Sequence, residues 1–205
     1  MTRDPEPLLL ILSSPSGAGK TTLTQRLLQA ELGLTFSVSL TTRAPRPNEV
    51  DGQDYHFVDR ETFMARRDGG ELAEWAEVHG NLYGTATSEI NRARAAGARA
   101  LLFDVDYQGA RQIKAKLPQA VGVFILPPSM AELRRRLEGR GTETPESVDR
   151  RFAQAQVEIE HYPFFDYLVL NEDLQQALAE LKGIIHAELC RRDRLAQRAE
   201  ALLDE

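Results

Sequence analysis

A chain of 205 residues, 42% of them hydrophobic, can bury the core of one α/β domain and leaves little room for a second. Its formal net charge of −6 argues against a general partner of nucleic acid or of anionic membrane surfaces, so its basic residues must be used locally. The single cysteine, Cys190, excludes an intrachain disulfide, and with no stretch of membrane-spanning length and no Lys/Arg-led leader, a cytoplasmic setting is expected.

The first apolar run, Leu8-Leu9-Leu10-Ile11-Leu12, reads as a buried strand that enters Ser13-Ser14-Pro15-Ser16-Gly17-Ala18-Gly19-Lys20-Thr21-Thr22. A strand that runs into a Gly-bearing turn and then a helix leaves backbone N–H groups unpaired, where the helix dipole also favours anions. The spacing of Gly17, Gly19, Lys20 and Thr21 is that of a loop for the phosphates of a nucleoside triphosphate, with Ser14 standing where the strict pattern has its first glycine. Lys20 would supply a cation for the outer phosphates and Thr21 a hydroxyl for Mg²⁺. Leu23, Leu27 and Leu28 then mark a helix buried on one face.

Between Phe36 and Tyr83 the pattern changes to turns and short extended pieces, read as a small β-rich insertion with Asp51-Gly52 as a hairpin turn before Tyr55-His56-Phe57-Val58. Arg43 and Arg46 stand on a proline-stiffened loop, where paired guanidinium groups suit a dianionic phosphate, and Tyr55 and Tyr83 offer phenolic donors. Glu71, Glu74 and Glu77 alternate with apolar residues around Trp75, so one of the three carboxylates is expected to face a pocket. A carboxylate there matches the adjacent N1–H and N2–H₂ donors of guanine and repels the acceptor N1 of adenine.

Further apolar runs at Ala100 to Val105, Val121 to Leu126 and Tyr167 to Leu170 alternate with helical patterns, which makes the fold class α/β with a parallel sheet. Asp104 and Asp106 close the second of the four runs at period two, a place where acids organise Mg²⁺ or its water shell, with capping or solvation as the alternative role for one of them. Ser129 to Glu132 reads as a capping box ahead of Leu133 and Leu137, and Thr144-Pro145 as a cap followed by a first-turn proline. Around Gly139-Arg140-Gly141 the basic residues are dense enough for a hinged lid, with Arg136, Arg140 and Arg151 as the functional candidates and Arg134, Arg135 and Arg150 on a solvated face. Asn171 reads as a helix N-cap, and the chain from about Glu172 onward as one long helix.

Together these motifs resemble guanylate kinase, from Leu8 to about Glu188. The resemblance implies a P-loop parallel sheet flanked by helices, with a small β-rich GMP-binding insertion and an arginine-bearing lid, all in one domain. Its core would run over about 8–38 and 89–188, its insertion over about 39–88 and its lid over about 139–151, followed by a helical extension at 189–205. The implied reaction is transfer of the γ-phosphoryl group of ATP to GMP, with dGMP as a further acceptor, giving ADP and GDP with Mg²⁺ as cofactor.

The same resemblance assigns Ser14, Pro15, Ser16, Gly17, Ala18, Gly19, Lys20, Thr21, Thr22 and Asn171 to ATP. It places Arg43, Arg46, Tyr55 and Tyr83 on the GMP phosphate, with Glu49 in the same loop, and Glu74 on the guanine N1 and N2 edge beside Ser39, Thr85 and Asp106. Thr21 and Asp104 would hold Mg²⁺, partly through water, and Lys20, Arg43, Arg136, Arg140 and Arg151 would be the catalytic cations. A catalytically silent interaction module of the same fold and a kinase for another nucleoside monophosphate are the alternatives, and monomer or homo-oligomer is left open.

Overall fold

The computed structural model describes residues 6–30, 32–78, 80–139 and 144–204. From the N-terminus β1 (Leu8–Ser13) leads into α1 (Lys20–Leu28) and β2 (Leu34–Phe36). The chain then leaves for a second sheet through β3 (Leu40–Thr41), β4 (His56–Phe57), α2 (Arg60–Asp68), β5 (Leu72–Val78) and β6 (Asn81–Ala86). It returns through α3 (Ser88–Ala95) to β7 (Ala100–Asp104), α4 (Tyr107–Lys116) and β8 (Val121–Leu126). The helices α5 (Met130–Glu138) and α6 (Pro145–Ile159), a short 3₁₀ turn, β9 (Tyr167–Leu170), α7 (Leu174–Leu189) and α8 (Arg192–Ala201) complete it.

The five-stranded sheet has the order β2-β7-β1-β8-β9, and every neighbouring pair is parallel. All six residues of the central strand β1 are buried. Leu8, Leu10 and Leu12 face one layer with α1 and α7, and Leu9 and Ile11 face the other with α3 and α4. Each such side chain contributes about 1.5–3 kcal/mol by leaving water, so the strand that carries the phosphate loop is firmly anchored in the core. The four runs expected as strands all pair here; β2, three half-buried residues long, is too short to show a period in the sequence.

The smaller sheet, ordered β4-β3-β6-β5, is mixed and encloses its own cluster of Leu40, Phe63, Leu72, Leu82 and Ala86. Asp51-Gly52 does not make the expected hairpin, because β4 pairs with β3 in parallel. Gly52, at φ 75°, closes a local loop instead, donating its N–H to the Tyr55 carbonyl at 2.8 Å. The capping box at Ser129 is one-sided: its hydroxyl accepts the Glu132 N–H at 3.1 Å, but the Glu132 carboxylate is taken by Arg135 and Arg136. Thr144 caps α6 as expected, ahead of Pro145.

The C-terminal helix is two helices. Arg191 adopts an extended backbone (φ −57°, ψ 138°) that ends α7, and α8 beyond it buries no residue, so no core face holds the two in line. Among the described residues no helix is long and apolar enough to cross a membrane.

Candidate functional site

The phosphate loop lies at the carboxyl edge of the parallel sheet, where β1 is flanked by β7 and β8, the place at which such sheets open a crevice for ligands. Gly17 (φ 92°) and Gly19 (φ 98°) take left-handed backbones that a Cβ would strain. At Gly19 the space is also closed, since a Cβ would come 2.3 Å from Asn171 Nδ2. Gly19 is the N-cap of α1 and offers no side-chain cap, so among the described residues no side chain accepts from its first-turn N–H groups. Thr21 and Thr22 are exposed on this first turn.

Cations converge on the loop from three elements. Lys20 Nζ forms an ion pair with Asp104 at the end of β7 and donates to the Val105 carbonyl at 3.0 Å. Arg136, on α5, is paired with Glu132 at 2.8 Å and extends to the Ala18 and Asn171 carbonyls at 3.4 and 3.3 Å. Arg135 and Arg136 together hold the Glu132 carboxyl well below its usual range, at about 2. Arg151, on α6, donates to the Ser16 hydroxyl. Arg140 lies outside the described residues, while Arg134 and Arg135 are exposed and pair with acids of α5 and α6.

Asn171 is not a helix cap. Asp173 takes that role at the start of α7, and Asn171 turns inward, 6% exposed, to donate to the Ala18 carbonyl at 2.7 Å. Glu158 was missed by the sequence reading. Its Oε2 accepts the Ser16 N–H at 3.3 Å, and burial pushes its carboxyl up from the ordinary value. The signal was present: Glu158 stands seven residues after Arg151 on α6, hence on the same face.

The second part of the site is built by the small sheet. Arg43 Nη2 donates to both carboxylate oxygens of Glu49 at 2.7 and 2.9 Å, and Glu49 also accepts the Arg46 N–H at 2.8 Å. This pair raises the pKa of Arg43 and lowers that of Glu49. Arg43 sits 5.5 Å over the Tyr55 ring, which meets Tyr83 edge-on at 6.0 Å. The Arg46 side chain is exposed and forms no ion pair among the described residues.

Of the three acids around Trp75, Glu71 and Glu77 are exposed and Glu74 is buried. A register shift between Leu72 and Glu74 breaks the alternation of β5 and re-aims the carboxylate inward. Glu74 Oε1 accepts the Thr85 hydroxyl at 2.8 Å, and Thr85 is 3.2 Å from the Ser39 hydroxyl. Gly109 leaves the room it occupies, since a Cβ there would come 3.3 Å from Oε2. Burial is the main force pushing the Glu74 carboxyl up to about 7; the Thr85 hydroxyl opposes it and the nearby Asp106 adds to it. Asp106 also caps α4, accepting the Gly109 N–H at 2.8 Å.

The arrangement therefore offers a cationic cradle for a polyphosphate on one side. On the other it offers an arginine–tyrosine cluster and a buried, hydroxyl-supported carboxylate. The guanylate kinase family model matches residues 6–188. A guanylate kinase of Dechloromonas aromatica is 52% identical over 179 residues, 87% of this chain and 88% of that protein. One of Aromatoleum aromaticum is 51% identical over 183 residues, covering 89% of each. The crystal structure of guanylate kinase from Anaplasma phagocytophilum aligns with a TM-score of 0.74 at 36% identity, covering 93% of this chain and 90% of that one. With a family match and relatives of that extent, this chain belongs to the guanylate kinase family.

Proposed function

We infer that the protein transfers the γ-phosphoryl group of ATP to GMP, giving ADP and GDP, with the phosphate loop as the donor site and the small sheet as the acceptor site. The observation that carries the acceptor reading is Glu74, a buried carboxylate with no ion-pair partner among the described residues, backed by Thr85 and Ser39. Guanine is the base whose edge presents two adjacent donors to such a group. Arg43, Arg46, Tyr55 and Tyr83 then hold the GMP phosphate, and Asp106 and Ser39 support the base.

The acceptor phosphate oxygen is already ionised near neutral pH, so the site needs no strong base and works by positioning and charge neutralisation. Lys20 would exchange Asp104 and the Val105 carbonyl for phosphate oxygens, while Arg136, Arg140 and Arg151 reach the transferring group from α5, α6 and the segment between them. Asn171, fixed on the Ala18 carbonyl, borders the donor nucleotide. Closure of the arginine-bearing segment and of the small sheet would exclude water, which otherwise competes with GMP as acceptor.

The residues present fit Mg²⁺. The exposed Thr21 hydroxyl and the Asp104 carboxylate are hard oxygen donors, the type that Mg²⁺ takes beside water and substrate phosphate. When bound, Mg²⁺ supplies positive charge to the β- and γ-phosphates. A cytoplasmic nucleotide pool is the proposed setting.

ADP production with Mg²⁺-ATP and each of GMP, dGMP, AMP, CMP and UMP, against a no-acceptor control, tests the function. Turnover with the guanine nucleotides is the expected result. Turnover with AMP or a pyrimidine nucleotide in their place would overturn the role of Glu74, and none with any acceptor would sink the transfer itself.

A further inference from the structure

Glu89 is a buried carboxylate, 5% exposed, in the first turn of α3, and it has no place among the groups around either nucleotide. A first-turn acid on a helix usually faces solvent and gains only from the dipole. Glu89 instead reaches to another segment, where its Oε2 accepts the Val38 N–H at 2.8 Å. Arg92, one turn further along α3, grips both carboxylate oxygens at 3.1 and 2.7 Å. The same guanidinium donates to the Phe36 carbonyl at 2.6 Å.

Phe36 to Val38 is the stretch by which the chain leaves the parallel sheet for the small one, and α3 is where it comes back. On the return, the Thr87 N–H and hydroxyl both reach the Glu71 carbonyl, at 2.8 and 2.9 Å. On the way out, Ser37 still donates to Leu102 of β7 at 2.9 Å, whereas the Ser39 carbonyl already accepts from His56 of β4 at 2.9 Å. The Glu89–Arg92 pair thus clamps the residue at which the anchoring of the backbone changes from one sheet to the other. Ser39, next along the chain, meets the Thr85 hydroxyl, and through it Glu74.

We propose that Glu89 and Arg92 are positioning residues that set the small sheet, and with it bound GMP, at the distance and angle needed for in-line attack on the phosphoryl group held by the phosphate loop. They touch no substrate and act through Val38 and Ser39. The proposal rests on the reading of the small sheet as the GMP site. Its warrant is the sensitivity of transfer to geometry, where a displacement of about 1 Å costs on the order of 10²-fold in rate.

Two substitutions in the full chain test it by steady-state kinetics with each substrate varied. Arg92→Lys keeps the charge on a half-exposed side chain but cannot span Glu89 and the Phe36 carbonyl together. Glu89→Gln keeps an acceptor for Val38 and turns an amide donor toward Arg92. Both are expected to raise KM for GMP and lower kcat, for about a tenfold loss in kcat/KM for GMP, while KM for ATP stays within about twofold. Arg46→Met serves as the reference for the GMP site and should raise KM for GMP. If it does and the two clamp variants do not, the clamp proposal is wrong and the GMP site stands. A proportional loss with both substrates, tracking a lower unfolding temperature, would reduce Glu89 and Arg92 to structural residues and overturn it as well. If Arg46→Met itself has no effect on GMP, the small sheet is not the acceptor site and the clamp falls with it.

Discussion

The proposed donor and acceptor halves of the site are made in different ways. The donor half is mostly backbone: a strand end, two glycines of positive φ and an uncapped helix start, with Asn171 and Arg136 fastened to the Ala18 carbonyl. The acceptor half is a relay of side chains, Ser39 to Thr85 to Glu74 and Arg43 to Glu49, drawn from separate strands and loops of a small sheet. Backbone cradles serve any polyphosphate, whereas a side-chain relay can read one base. Under the proposed function, donor and acceptor would thus divide the work into charge and identity.

Breaking the donor half at its cation should have the largest effect. Lys20→Ala is expected to lower kcat by about 10²–10³-fold at saturating ATP, with an unfolding temperature close to that of the parent. An unchanged kcat would remove Lys20 from the chemistry.

The acceptor half should respond next, and with a dependence on pH. Glu74→Gln is expected to lower kcat/KM for GMP by about 10–100-fold, as loss of charged hydrogen bonds to the base requires. Its effect on stability should have the opposite sign. Burial raises the folded pKa of Glu74 from an ordinary 4.5 to about 7, so the parent is most stable below pH 4.5 in this respect and loses that contribution as pH rises to about 7. The loss is of order 3 kcal/mol, and the Gln variant is spared it. Melting temperatures at pH 5 and pH 8 should therefore favour the variant at the higher pH, and equal differences at both would contradict the raised pKa of Glu74.

The smallest effect sharpens the contrast from the backbone side. Gly19→Ala must hold φ 98° and push Asn171 aside, which should cost about 1–2 kcal/mol of stability, and KM for ATP should rise while KM for GMP does not. Equal shifts in both constants would mean that the two halves are not separable in this way.

This division also governs what could be read in the chain. Gly17, Gly19 and Lys20 after five apolar residues announce themselves, because positive φ and a cation at a helix start are properties of residues a few positions apart. The parallel core was legible for the same reason, in apolar runs of strand length. Glu74 could not be told from Glu71 and Glu77 by spacing, since its burial depends on the register shift after Leu72. Asn171 was misread because the neighbouring Asp173 satisfies the same cap pattern and wins it, which frees Asn171 to reach a loop far away in sequence. Glu158 and Glu89 act on backbone N–H groups of distant segments; the face that Glu158 shares with Arg151 hints at the first contact, and no local pattern marks the second.

The break between α7 and α8 has a practical side. Cys190, the only cysteine of the chain, caps α7 there and is exposed. Because α7 starts just after Asn171 beside the phosphate loop and runs 16 residues away from it, its far end lies about 24 Å off. A dye attached to that sulfur would sit outside the chemistry, and paired with a fluorescent nucleotide it would turn the molecule into its own ruler without any residue having to be changed.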